Sequence, residues 1–137
     1  GRNAARERLF TDFDLSNSPV LTHPSAIVSP SSHFGEGTLL VAGAIVNADS
    51  RIGRGVILNT ACSVDHDCEI DDFAHISPGA RLAGGVAVGK RSWIGIGAVV
   101  REGIRIGDDV IVGAGSVVVK DIENGTKVCG VPARTMR

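Results

Sequence analysis

The sequence predicts an all-β chain folded as a parallel β-helix, a coil of short strands wound into a triangular prism. Three observations carry that prediction. Stepping by six from Val28 through Phe34, Leu40, Val46, Ile52 and Leu58 to Val112 and Val118 meets sixteen positions, every one Ile, Leu, Val or Phe. Those four types fill only 40 of the 137 residues, so an unbroken run of that length is not chance. The fifth residue of each hexad is small or β-branched, from Ser32, Thr38 and Ala44 through Cys62, Cys68 and Ala80 to Ser116 and Ile122. Glycine is 18 of 137 residues while aromatic residues are 4 %, which suits a narrow aliphatic core with many corners. Neither a helical period nor an ordinary β-sandwich keeps a register of six over so long a run.

The elements follow in order. Residues 1–13 read as a short charged helix and 14–27 as a lead-in containing Ser and Pro. Each hexad then forms one flat side of the prism. Its fifth residue and the next leading aliphatic lie two apart, so strand alternation turns both inward. Three hexads make a coil, and the residues between strands turn the corners, where glycine supplies unusual backbone angles. Sixteen hexads give about five coils, and at ~4.8 Å per coil the prism is roughly 25 Å tall. Asn124-Gly125 marks a turn after the last hexad, and the segment from Val128 to Arg134 closes the final coil. The expected organisation is a helix and linker over residues 1–20, the β-helix over 21–123 and a closing tail over 124–137.

The sixth residue of each hexad points outward and forms one column per face. The first holds Leu39, Ile57, His75, Trp93 and Ile111; the second Ile45, Ser63, Arg81, Val99 and Val117; the third His33, Arg51, Glu69, Ala87, Arg105 and Glu123. A column of Leu, Ile and Trp should not face water. The first face is therefore expected to pack on another subunit of a homo-oligomer. Apolarity favours the second face as its partner.

Charge and composition exclude several classes. With 14 Lys+Arg against 15 Asp+Glu, scattered, the chain lacks the basic face a nucleic-acid binder needs. No uncharged apolar run is long enough to span a membrane, and no signal-peptide pattern opens the sequence. Cys62, Cys68 and Cys129 show no metal or disulfide spacing, so reduced thiols in a cytoplasmic protein are expected.

His66 and Asp67 stand side by side at a corner. A carboxylate beside an imidazole fixes its tautomer and raises its basicity, as a general base requires. Gly84 follows His66 by eighteen residues, so it stacks one coil above, where its N–H can stabilise an oxyanion. His75 lies in the first column, half a coil from His66. Both serve one site only across a subunit boundary. A zinc site needs a third histidine near these coils, and His23 and His33 are too distant, so no metal is expected. Cys62 and Cys68 point inward and are poor nucleophiles.

Leu58-Asn59-Thr60, Val64-Asp65-His66-Asp67, His75 through Ala80, Ala83-Gly84-Gly85-Val86 and Gly130 through Arg134 resemble the hexapeptide-repeat acyltransferases. Within them they resemble the bacterial sugar acetyltransferases that include bacillosamine N-acetyltransferases and sialic acid O-acetyltransferases. The resemblance implies a left-handed winding, against the usual crossover preference, and a homotrimer. It implies acetyl transfer from acetyl-CoA to an amino sugar, a nucleotide-linked 4-amino-4,6-dideoxy sugar, with O-acetylation or a non-catalytic trimeric scaffold as the alternatives. His66 matches the general base, Asp67 its acidic partner and Gly84 the oxyanion donor. Asn59 matches a polar residue near the acceptor, His75 an acetyl-CoA contact, and Ile96 and Ala114 backbone contacts to the CoA arm. Bringing these last to His66 favours the third face as the partner in the trimer. The family usually opens with a small α/β domain, of which residues 1–20 resemble the last helix and linker.

Overall fold

The computed structural model describes residues 2–136. Gly1 and Arg137, the outermost residues of the expected helix and tail, lie outside the described residues. The chain forms one helix, α1 (Asn3–Asp12), followed by a parallel β-helix of two-residue strands. On the first face, strands at Leu21–Thr22, Leu39–Leu40, Ile57–Leu58, His75–Ile76, Trp93–Ile94, Ile111–Val112 and Lys127–Cys129 stack in order. The second face carries six strands, from Ile27–Val28 to Val117–Val118, and the third five, from His33–Phe34 to Arg105–Ile106. The register is eighteen as far as Val117–Val118: His75, for example, pairs with Ile57 below and Trp93 above.

The interior is built as the hexads require. Leu58, Val64, Ile76, Ile94 and Val100 are fully buried leading residues, and Ala44, Cys62, Cys68, Ala80 and Ala98 are fully buried fifth residues. The small polar residues among the fifth positions are satisfied locally. Thr38, Ser50 and Ser92 each donate to a backbone carbonyl fifteen residues ahead, at 2.6–2.7 Å. A buried hydroxyl thus keeps its hydrogen bond without widening the core.

Two expectations are corrected. There are about six coils rather than five, because the first face begins at Leu21–Thr22 and continues to Lys127–Cys129. The end rungs escape the hexad pattern because their side chains are not enclosed on both sides: Thr22 is exposed, and Val28 and Phe34 are half-buried. The lead-in assigned to 14–27 therefore already contains strands. Second, the last coil is two residues short. Ile122 bridges Ile106 and Lys127 pairs with Ile111, each sixteen residues back. Ile122 thus fills a leading place rather than a fifth one. Asp121, not Glu123, adjoins Arg105, and its carboxylate accepts the Arg105 amide at 2.8 Å.

Helix α1 lies along the corner between the third and first faces. Asn3 donates to the Arg91 carbonyl at 2.8 Å. Arg6 donates to the carbonyls of Gly55 at 3.0 Å, Ala74 at 3.1 Å and Phe73. Phe10 meets Phe73 edge-on at 5.3 Å, and Arg91 bridges Glu7 and Asp109. Phe73 holds a left-handed backbone (φ 58°), unusual for a bulky residue, with Phe10 and the Arg54 guanidinium packed on its ring.

The tail ends in a hairpin. Arg134–Thr135 runs antiparallel to Lys127–Cys129. Val117 donates to the Gly130 carbonyl at 3.0 Å and accepts the Ala133 amide at 2.8 Å. Among the described residues no helix is long and apolar enough to cross a membrane.

Candidate active site

The corner between the second and third faces carries His66. Its turn is closed by Asp67, whose left-handed backbone (φ 56°) is one that Asp tolerates better than most residues. That turn sets the Asp67 carboxylate 2.8 Å from His66 Nδ1. The backbone amide of His66 is pinned by Asp65 Oδ1 at 2.9 Å, and the same oxygen accepts from Asn47 Nδ2, one coil below, at 2.8 Å. Both His66 and Asp67 are open to solvent, at 61 % and 66 % of side-chain area. The Asp67 hydrogen bond, and then the nearby Asp65 charge, raise the His66 pKa above its ordinary value. The Asn47 contact holds Asp65 below the usual carboxylate range, so it stays charged. With Nδ1–H directed at Asp67, His66 Nε2 keeps its lone pair for a substrate proton.

Gly84 lies against this ring. A Cβ at Gly84 would come within 2.6 Å of both Cε1 and Nε2 of His66. Only a residue without a side chain lets the imidazole settle there. The surrounding turn is tied across coils, with Gly85 donating to the His66 carbonyl at 2.9 Å and Gly103 to the Gly84 carbonyl at 3.0 Å. The Gly84 amide itself donates no hydrogen bond among the described residues. Base, carboxylate and a free N–H therefore share one corner.

The other predicted residues form a second group at the corner between the first and second faces. His75 is 9 % exposed and stacks on Trp93, with ring centroids 6.1 Å apart and planes 1° apart. Its Nε2 meets Asn59 Nδ2 at 3.1 Å. Burial above all pushes the His75 pKa down to about 4, and the Arg6 charge acts in the same direction, so the ring is neutral near pH 7. Ile96 and Ala114 stack at the same corner: Gly115 donates to the Ile96 carbonyl at 2.8 Å, and Ile96 is 58 % exposed.

The structure thus brings His66, Asp67 and Gly84 together, and separately Asn59 with His75 and Ile96 with Ala114. Within one chain the width of the second face divides these groups. Sequence reasoning missed Asn47, Asp65, Trp93 and Ser77, the last of which accepts the Trp93 indole N–H at 2.7 Å. The Asn47–Asp65 pair is separated by eighteen residues, a spacing that could have revealed it. A concavity of about 740 Å³ runs along the third face past Arg51, Glu69, Arg105 and Asp121 and includes none of the predicted site residues. Among the described residues no group of His, Cys, Asp and Glu is placed to hold a metal ion.

Comparison with known proteins gives a consistent picture. The family described as bacterial transferase hexapeptide (six repeats) matches residues 85–120. No curated protein matches the sequence. The acetyltransferase domain of PglB from Neisseria gonorrhoeae, solved with acetyl coenzyme A, is 45 % identical over 98 % of this chain and 67 % of that one, with a TM-score of 0.94. Perosamine N-acetyltransferase from Caulobacter crescentus, an H-to-N variant solved with CoA and GDP-perosamine, is 45 % identical over 99 % of this chain and 66 % of that one, with a TM-score of 0.95. WeeI from Acinetobacter baumannii is 29 % identical over 98 % of this chain and 67 % of that one, with a TM-score of 0.94. The chain spans about two thirds of the length of these relatives.

Proposed function

The chain belongs to the hexapeptide-repeat acetyltransferases, beside PglB and perosamine N-acetyltransferase, and on that premise we propose that it transfers an acetyl group from acetyl-CoA to the amine of a nucleotide-linked amino sugar. The observation that carries this reading is the His66 corner: an imidazole seated on Gly84, with Asp67 on its Nδ1. The acceptor amine attacks the thioester carbonyl while His66 Nε2 takes the proton. Asp67 stabilises the imidazolium that forms. The Gly84 N–H donates to the oxyanion of the tetrahedral intermediate. The C–S bond then breaks and CoA leaves as the thiolate, which recovers a proton from His66. No covalent enzyme intermediate is required. The comparisons favour an amine acceptor over a hydroxyl, since one relative is named as an N-acetyltransferase and is bound to GDP-perosamine.

The second group supplies the acyl-donor side. His75 and the backbone at Ile96 and Ala114 contact acetyl-CoA in this reading. One acetyl-CoA touching these and His66 lies between two subunits, and a homotrimer is the assembly we propose. The exposed Ile96 and Val99, at 58 % and 42 %, support a partner along the second face. The cytoplasm is the compartment in this reading, and the three free cysteines fit it.

The test is release of CoA from acetyl-CoA in the presence of nucleotide-linked amino sugars, GDP-perosamine among them, with the N-acetylated product identified by mass spectrometry. Failure to bind acetyl-CoA in calorimetry would leave the scaffold reading. The pH dependence has a defined sign. The base must be unprotonated, so kcat/KM rises with pH through the raised pKa of His66. Asp67→Asn removes the cause of that rise, so the acidic limb of the kcat/KM profile moves to lower pH and the plateau drops by about tenfold or more. A limb that stays in place would detach Asp67 from the titration.

A further inference from the structure

His75 is held by a chain of contacts that settles which of its nitrogens carries the proton. Asn59 Oδ1 accepts the Thr60 amide at 2.8 Å and the Thr60 hydroxyl at 3.3 Å. An amide oxygen that takes two donors is thereby distinguished from its nitrogen. The group facing His75 Nε2 at 3.1 Å is therefore the Asn59 NH2, a donor. A neutral imidazole has one donor and one acceptor nitrogen. With Nε2 accepting, the proton resides on Nδ1. That atom is buried and has no protein partner among the described residues.

The plane of the ring is set as firmly as its tautomer. Trp93 lies parallel to it in the offset range favoured by aromatic pairs. The indole cannot swing freely, because its N–H donates to Ser77 Oγ at 2.7 Å. Trp93 sits one coil above His75 and Asn59 one coil below, so three successive levels of the prism converge on one ring.

We propose that Asn59 is a positioning residue for acetyl transfer: with Thr60 and Trp93 it holds His75 as the neutral Nδ1–H tautomer, in the ring plane in which His75 meets the acyl donor. Asn59 then acts through His75, on the acetyl-CoA side of the reaction, and replaces the acceptor-sugar contact expected from the sequence. The proposal rests on the acetyltransferase reading above for its kinetic consequence, whereas the tautomer stands on hydrogen bonding alone.

The test labels histidine with 15N in the full chain and records two-bond proton–nitrogen correlations without ligand. The expected result is a protonated-type shift for His75 Nδ1 and a bare-type shift for Nε2. Asn59→Asp substitutes an acceptor for the donor and reverses the pattern. Calorimetric acetyl-CoA affinity then falls about tenfold, the value of one hydrogen bond in a buried site, while KM for the amino sugar stays within about twofold. Asn59→Leu removes the donor without adding charge. It yields mixed tautomers and a smaller loss in the same direction. A wild-type ring protonated on Nε2 overturns the proposal. So does an Asn59→Asp variant that binds acetyl-CoA normally and loses sugar affinity instead. If wild-type protein binds no acetyl-CoA, the functional reading fails, and the spectrum still decides the tautomer.

Discussion

His66→Ala is expected to lower kcat by about 10³-fold, within the range that a positioned general base contributes. Acetyl-CoA binding should persist, because the donor contacts we propose, His75, Ile96 and Ala114, lie at the other corner. Stability should hardly change. The His66 side chain is 61 % exposed, and the turn around it is held by backbone bonds from Gly85 to the His66 carbonyl and from Asp67 to the Ala48 carbonyl. Steady-state kinetics together with a thermal melt separate the two effects. Turnover within a few-fold of wild type would remove His66 from the chemistry.

Gly84→Ala is the second large expectation, and it isolates geometry from chemistry. Gly84 does not occupy a left-handed position, so alanine fits its backbone. The three atoms nearest the added methyl all belong to the His66 ring, at 2.6–3.2 Å. That ring is solvent-exposed and can swing away at little cost. The fold therefore survives with a change in stability within about 0.5 kcal/mol, while the base is displaced from the thioester. A misplacement on the order of 1 Å costs roughly 10²-fold in rate. We expect kcat to fall by about that factor at unchanged Tm. Full activity would mean that the contact between His66 and Gly84 is not used in catalysis.

The coil was legible because each leading aliphatic meets the same kind of interior: the environment of Leu58 is that of Val64 and of Ile76, turned about the axis. That sameness fails at the ends. Thr22 pairs in the first rung without being enclosed, so its polarity hides the strand. The shortened coil was concealed by chemistry that suits two places at once, since Ile122 passes equally as a fifth or a leading residue. Helix α1 was visible as a helix, but its seat was not. Arg6 binds the carbonyls of Gly55, Phe73 and Ala74, and backbone acceptors leave no mark in a sequence.

The candidate site divides along the same line. His66, Asp67 and Gly84 could be assembled by counting, because one is adjacent and the other a full coil away. Asn59 and His75 are sixteen apart, a separation that joins a corner to the face above it rather than stacking like on like. Their pairing depends on side-chain reach, which periodicity does not encode. Trp93 was read as cover for an apolar face. Its role against His75 emerges only from the angle between the rings.

The reversed strand at Arg134–Thr135 has a consequence for life in a crowded solution. An open prism ends in exposed rims of amide and carbonyl groups, an invitation for the next molecule to dock and for a fibre to grow. Here the last turn is clipped by two residues, and the chain doubles back over it, so an incoming copy finds no template in phase with its own winding. The hairpin covers the last strand of the first face, and the edge it offers instead runs against the winding of the coil.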